Sequence, residues 1–160
     1  MRQLVFLSHA SADKELAECL RDVLATDAPE LDFFLASVPG QITPGRPWVD
    51  DILRRLREAD AYVTLLTPVS VQRPWVWFEA GAAWGREKPL ALLCAGGLSK
   101  SQVKPPLGAL QLLSLEEDRV DSLQQVRALL GQPALHDAEA CLQRLVALIP
   151  ASHHRCRAAG

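Results

Sequence analysis

Ala61-Tyr-Val-Thr-Leu-Leu-Thr-Pro-Val-Ser-Val-Gln-Arg-Pro-Trp-Val-Trp-Phe-Glu-Ala-Gly-Ala-Ala-Trp84 is the stretch that decides the fold. Its first six residues are nearly all apolar, without the alternation of a strand that has one face in water. Thr67 to Arg73 reads as a polar loop. Pro74 then stands where the first turn of a helix tolerates a residue lacking an N–H. An apolar helix follows to Trp84, and a second uninterrupted apolar run, Pro89 to Cys94, comes soon after. Strand, helix and strand, with both strands apolar throughout, make a parallel unit covered on both faces.

Working outward, the same alternation recurs. Leu4 to Leu7 is a short apolar strand, and the polar run Ser8 to Asp13 is a loop and helix cap. Leu16, Leu20, Val23 and Leu24 recur at helical spacing, predicting a helix over about 13–25. Leu31 to Leu35 is a second strand. Ala36 to Trp48, with Pro39, Gly40, Pro44, Gly45 and Pro47, is a long shaped loop. Trp48, Ile52, Leu56 and Ala59 mark one face of the next helix. A last strand is expected over 110–113, and helices over 119–130 and 137–149. Five such strands predict an α/β flavodoxin-like parallel sheet in the order 2-1-3-4-5, with helices on both faces. Ligands bind such sheets outside the carboxyl ends of the strands, beside the switch in strand order. The loop at Ser8, the proline-rich loop and the start of the Trp75 helix are expected to converge there. One domain over 1–150 is expected, with a disordered tail over 151–160.

Composition excludes several classes of function. The 160 residues are 49% hydrophobic and 22% charged, with a net charge of −2, so no broad basic surface for nucleic acid is indicated. No apolar run reaches the roughly 18 residues of a membrane span. The N-terminus passes into Ser8 and His9 too soon for a signal peptide. A cytoplasmic protein is therefore expected, with reduced thiols at Cys19, Cys94, Cys141 and Cys156. Neither these nor His9, His136, His153 and His154 fall at metal-ligand spacing, so no metal is expected.

Familiar motifs fail in turn. Gly40 to Pro47 has the glycine spacing of a triphosphate loop, but Arg46 stands for its lysine and Pro47 for its Ser/Thr. A phospho-receiver needs acids after the first strand and an aspartate ending the third; Ser8-His9 and Thr67-Pro68 stand there instead. What remains is Trp75 and Glu79, four residues apart and so on one helical face. An aromatic plane beside a carboxylate suits a planar cationic ring.

Val5-Phe-Leu-Ser-His9, Thr43-Pro-Gly-Arg-Pro-Trp48 and Trp75-Val-Trp-Phe-Glu79, in this order, resemble a bacterial TIR (Toll/interleukin-1 receptor) domain. The likeness runs from about residue 3 to residue 115. It implies the flavodoxin-like fold and, as in many bacterial members, cleavage of NAD+ at the nicotinamide–ribose bond, with NAD+ as substrate and no cofactor. The glutamate of the W-x-x-x-E element is catalytic in that family and falls on Glu79; its tryptophan, Trp75, flanks the site. The loop over about 36–48, the BB loop, covers the ligand or mediates assembly, with Gly45 and Arg46 as candidate contacts. Many relatives carry an acid soon after the second strand; Ala36-Ser37 stands there, and a role depending on that acid is not carried over. Ser8, His9 and the following helix start are candidates for contacts to the pyrophosphate. The resemblance further implies a homo-oligomer through TIR–TIR contacts, an effector role in bacterial immunity, and a separate activating or sensor chain.

Blander readings stand beside these. A glutamate early in a helix is favoured by the macrodipole alone and is commonly solvated. Trp77 and Trp84 are read as core or interface, and His9 as a structural loop residue before a ligand contact. Two functional alternatives share the fold: a TIR scaffold without catalysis, and a nucleoside deoxyribosyltransferase-like enzyme, for whose acceptor no motif is present.

Overall fold

Five strands, β1 (Gln3–Ser8), β2 (Leu31–Ala36), β3 (Ala61–Leu66), β4 (Leu90–Cys94) and β5 (Leu112–Ser114), form one parallel sheet in the order β2-β1-β3-β4-β5. The computed structural model describes residues 1–36 and 48–149. Between the strands run α1 (Lys14–Leu24), α2 (Trp48–Glu58) and α3 (Pro74–Trp84), and α4 (Arg119–Leu129) and α5 (Ala138–Ala147) close the chain. The flavodoxin-like order is the expected one. Gly45 and Arg46 lie outside the described residues, as does the tail expected over 151–160.

Side chains alternate between the two faces of each strand, and that alternation sorts the core. Val5 and Leu7 of β1, Val63 and Leu65 of β3 and Leu93 of β4 pack with Leu16 and Leu20 of α1, Leu123 and Val126 of α4, and Leu142 and Leu145 of α5. On the opposite face, Phe6 and Tyr62 meet Ile52 and Leu56 of α2. Leu66, Leu92 and Cys94 meet Val76 and Ala80 of α3 there. Every residue of β3 is buried, which is why the central strand reads as one apolar run.

The expected last strand is present but begins at Leu112 and ends at Ser114. Leu107–Ala109 forms a 3-10 turn, Leu110 terminates it, and pairing begins at Leu112 opposite Leu92. Only three residues pair, too few to show a period. Pro89 precedes β4 without donating, yet its carbonyl accepts from the Tyr62 N–H at 2.8 Å.

One polar group holds the α1–α4 side together. Arg127, 1% exposed, donates from Nη1 to the carbonyls of Leu24 (2.6 Å) and Thr26 (2.9 Å), and from Nε to that of Pro133 (3.1 Å). Leu24 ends α1, so a guanidinium sits on the carbonyl-rich, partly negative end of that helix.

Candidate active site

Pro74 opens α3 with Arg73 as its extended N-cap residue, and Val76, Ala80 and Ala83 lock the helix against the sheet. Glu79 is the sixth helical residue, past the first turn to which the dipole's attraction is confined. It is 2% exposed. The solvated-glutamate reading therefore fails, and the burial of a carboxyl here calls for another reason.

Among the described residues, Ser8 supplies a hydrogen bond to Glu79 from the facing strand. Ser8 ends β1 and shares the Phe6 face by alternation, so it looks toward α3; its hydroxyl donates to Glu79 Oε2. Among the described residues Glu79 Oε1 is buried without a partner, and so is Trp75 Nε1 one turn earlier. Burial pushes the Glu79 carboxyl up to about 7, against the opposing pull of the Ser8 hydroxyl and, more weakly, the nearby Trp75 N–H. That indole lies close enough to favour the carboxylate but is not aligned in a hydrogen bond with it. At neutral pH the carboxyl is poised between its two states.

Aromatic rings wall the same place. The Trp75 ring lies 5.6 Å from that of Trp48, at the start of α2, and 5.1 Å from that of Phe78. Both pairs are tilted, the arrangement aromatic quadrupoles prefer over a flat sandwich. Trp77 instead donates from Nε1 to the Val71 carbonyl at 2.8 Å and packs on the core beneath, in line with its structural reading.

His9 belongs elsewhere. Its ring is buried, Nδ1 is 3.5 Å from the Leu7 carbonyl, and Nε2 has no partner. Its charged neighbours are Asp13, Lys14 and Glu18, on the α1 side. Burial holds the imidazole below its ordinary value, so it is neutral at pH 7. Of the residues singled out in the sequence, the structure thus brings Ser8, Trp75 and Glu79 together, and sets His9 toward α1. Trp48 joins the group unannounced; its place at the end of the long loop was visible, its contact with Trp75 was not.

A hollow of about 520 Å³ lies on the same carboxyl edge, lined by residues that include Asp13, Lys14, Thr67, Gly96 and Ile149. Its wall is closed by a 2.6 Å hydrogen bond from Thr67 Oγ1 to Asp13. Neither Ser8, Trp75 nor Glu79 lines it, and none of its residues carries a buried unpartnered side-chain atom. Size alone does not make it a candidate site; of the buried side-chain atoms without a partner among the described residues, at His9, Arg55, Trp75 and Glu79, two lie on one face of α3. Among the described residues no group of three His, Cys, Asp or Glu side chains is placed to hold a metal, and no helix is long and apolar enough to cross a membrane.

In fold, the chain is similar to a metazoan TIR-STING receptor from C. gigas, in a structure with 2′,3′-cGAMP. The TM-score is 0.52 at 18% identity, covering 88% of this chain and 38% of that one. A second structure of a metazoan TIR-STING receptor from C. gigas gives a TM-score of 0.56 at 19% identity, covering 85% of this chain and 42% of that one. This chain accordingly spans less than half the length of either receptor chain. No curated protein matches it in sequence. A family model for the TIR domain matches residues 5–130, a span that holds Ser8, Trp75 and Glu79, and by that match the chain belongs to the TIR domain family.

Proposed function

We propose that this TIR domain cleaves NAD+ at the nicotinamide–ribose bond, with Glu79 as the catalytic residue. The observation that carries the reading is the pair of unmet groups on one face of α3: an acceptor, Glu79 Oε1, and a donor, Trp75 Nε1. A sugar hydroxyl can donate to the first and accept from the second. The rings of Trp48, Trp75 and Phe78 offer π faces to a flat cationic pyridinium beside that sugar.

The bond to be broken suits a single carboxylate. Nicotinamide leaves with the bonding electron pair as a neutral molecule, so no general acid is needed, unlike the paired carboxyls of ordinary glycosidases. Positive charge then spreads over the ribose ring, and an ionised Glu79 held beside it stabilises that charge without reorganising. Capture by water, with loss of a proton, gives ADP-ribose; capture by the adenine of the same molecule gives a cyclic isomer.

The test is nicotinamide release from NAD+ by concentrated protein in a crowding agent. Because the ionised form works and protonation silences it, kcat/KM is expected to fall about tenfold per pH unit below a midpoint of about 7. A profile flat from about pH 5.5 to about pH 8.5 would remove Glu79 from the chemistry.

A second role is favoured by the outer side of the same helix, which we read as a contact surface for another TIR domain. Phe78 and Trp84 are 48% and 63% exposed, and Gly81 between them has open space where a side chain would stand. Exposed apolar side chains on a helix are what association buries. Trp84→Glu is expected to keep the protein monomeric at concentrations where the wild type associates, read by sedimentation velocity. Unchanged association would place the contact elsewhere.

A further inference from the structure

We propose that Ser8 is the positioning residue of Glu79: its hydroxyl holds one carboxylate oxygen so that the other is presented to the ligand in a single direction. In its rate consequence this rests on Glu79 being the catalyst of NAD+ cleavage; in its geometry it does not.

Both ends of the Ser8–Glu79 bond are fixed by the fold. Ser8 is paired on either side, with Ala36 of β2 and Thr64 of β3, so its backbone is held between two ladders. Alternation from Phe6 then sends its side chain to the α3 side, where it is 1% exposed. Glu79 stands between Val76, Ala80 and Ala83, all buried against the sheet, so its backbone is equally fixed. The hydrogen bond joins residues 71 apart in sequence and ties β1 to α3 at the carboxyl edge.

The chemistry of the hydroxyl decides what it does. A serine carries one donor hydrogen, and here it is given to Glu79 Oε2. The lone pairs that remain are acceptors, which repel phosphate oxygens. A pyrophosphate contact is therefore a poor use of this residue, whereas orienting a carboxylate is a good one. With Oε2 tethered and Oε1 unpartnered among the described residues, the carboxyl cannot turn freely between equivalent rotamers, and the unpartnered oxygen points one way. Because the hydroxyl donates, it also favours the ionised form in a place where burial opposes it.

The titration of the Glu79 carboxyl carbon, followed by NMR in protein labelled with ¹³C-glutamate and assigned with Glu79→Gln, reads this directly. Ser8→Ala is expected to raise the Glu79 midpoint by about one pH unit, the shift that a lost hydrogen bond to a charged oxygen supports. Ser8→Thr, which restores the donor, is expected to return it close to the wild-type value. Ser8→Cys keeps the volume and weakens the donor, and reads the same rise if the alanine protein does not fold. In nicotinamide release, Ser8→Ala is expected to lower kcat about 30-fold with KM within about threefold, and to move the acid limb of the pH profile upward. An unmoved midpoint in the alanine or cysteine protein overturns the inference, as does a raised KM at constant kcat. A moved midpoint in a wild-type protein that releases no nicotinamide overturns the reading of the reaction and leaves Ser8 as the residue that orients Glu79.

Discussion

Glu79→Gln is expected to release nicotinamide about 10³-fold more slowly than the wild type, and yet to be the more stable protein at pH 8. On the proposed reaction, the loss follows from removing the Glu79 negative charge from beside the developing oxocarbenium ion, at the upper end of what a single preorganised group contributes. The gain follows from the cost of burying that charge. Glu79 is lifted from 4.5 to about 7 in the fold, chiefly by desolvation. Below about pH 4.5 the carboxyl is protonated both folded and unfolded, and burial costs little. As pH rises toward about 7 the unfolded chain loses the proton while the folded chain keeps it, so stability falls. Above about 7 the penalty is complete, on the order of 3 kcal/mol. Glutamine keeps an oxygen for Ser8 to donate to and carries no charge at any pH. Urea unfolding of the two proteins should therefore give a stability difference that is small near pH 4.5, grows to pH 7 and then levels. A constant difference across that range would mean that Glu79 is not held protonated by burial.

Arg127→Ala carries the largest expected loss of stability, about 4 kcal/mol. Removing the guanidinium strips donors from the carbonyls of Leu24, Thr26 and Pro133 at once, and leaves a void where a 1%-exposed side chain was. A domain of this size is typically stable by only about 5–15 kcal/mol, so the change is a large part of the whole. Arg127→Lys reaches fewer of the three carbonyls with a single nitrogen and is expected to lose about half as much. The measurement is the urea midpoint at constant m-value. A loss under about 1 kcal/mol would mean that water replaces the guanidinium with little cost.

Arg127 also shows where reading a sequence stops. A basic residue in the last turn of a helix suits its own helix end in solvent; that it instead crosses to the end of α1, 103 residues earlier at Leu24, is a fact of packing alone. The sheet was legible for the opposite reason. β3 and β4 are buried on both faces, so nearly every residue repeats the same apolar message, and α1 repeats its own at helical spacing. The start of β5 reads at Leu110 rather than Leu112 because a strand of three residues repeats nothing, and the 3-10 turn ahead of it carries the same kind of leucines. At the site, Trp75 and Glu79 were legible as a pair because their spacing is local. The burial of Glu79, its bond to Ser8 and the approach of Trp48 were not, since each depends on how β1, α2 and α3 meet. His9, read as a structural loop residue before a ligand contact, follows the last residue of β1 and lies beside Asp13, Lys14 and Glu18.

The helix that carries Glu79 turns its other side outward. Phe78 lies against Trp75, whose indole borders the carboxyl, and is itself 48% exposed. A helix is only about 10 Å across, so a partner seated on Phe78 and Trp84, as proposed, would be separated from the Glu79 carboxyl by side chains of one element. Binding a partner and binding a proton then act on the same rod from its two sides, and the two equilibria are linked by a reciprocal law. Whatever factor association imposes on the proton affinity of Glu79, acidity must impose on association. On the proposed contact, association and the protonation of Glu79 would share one coupling free energy.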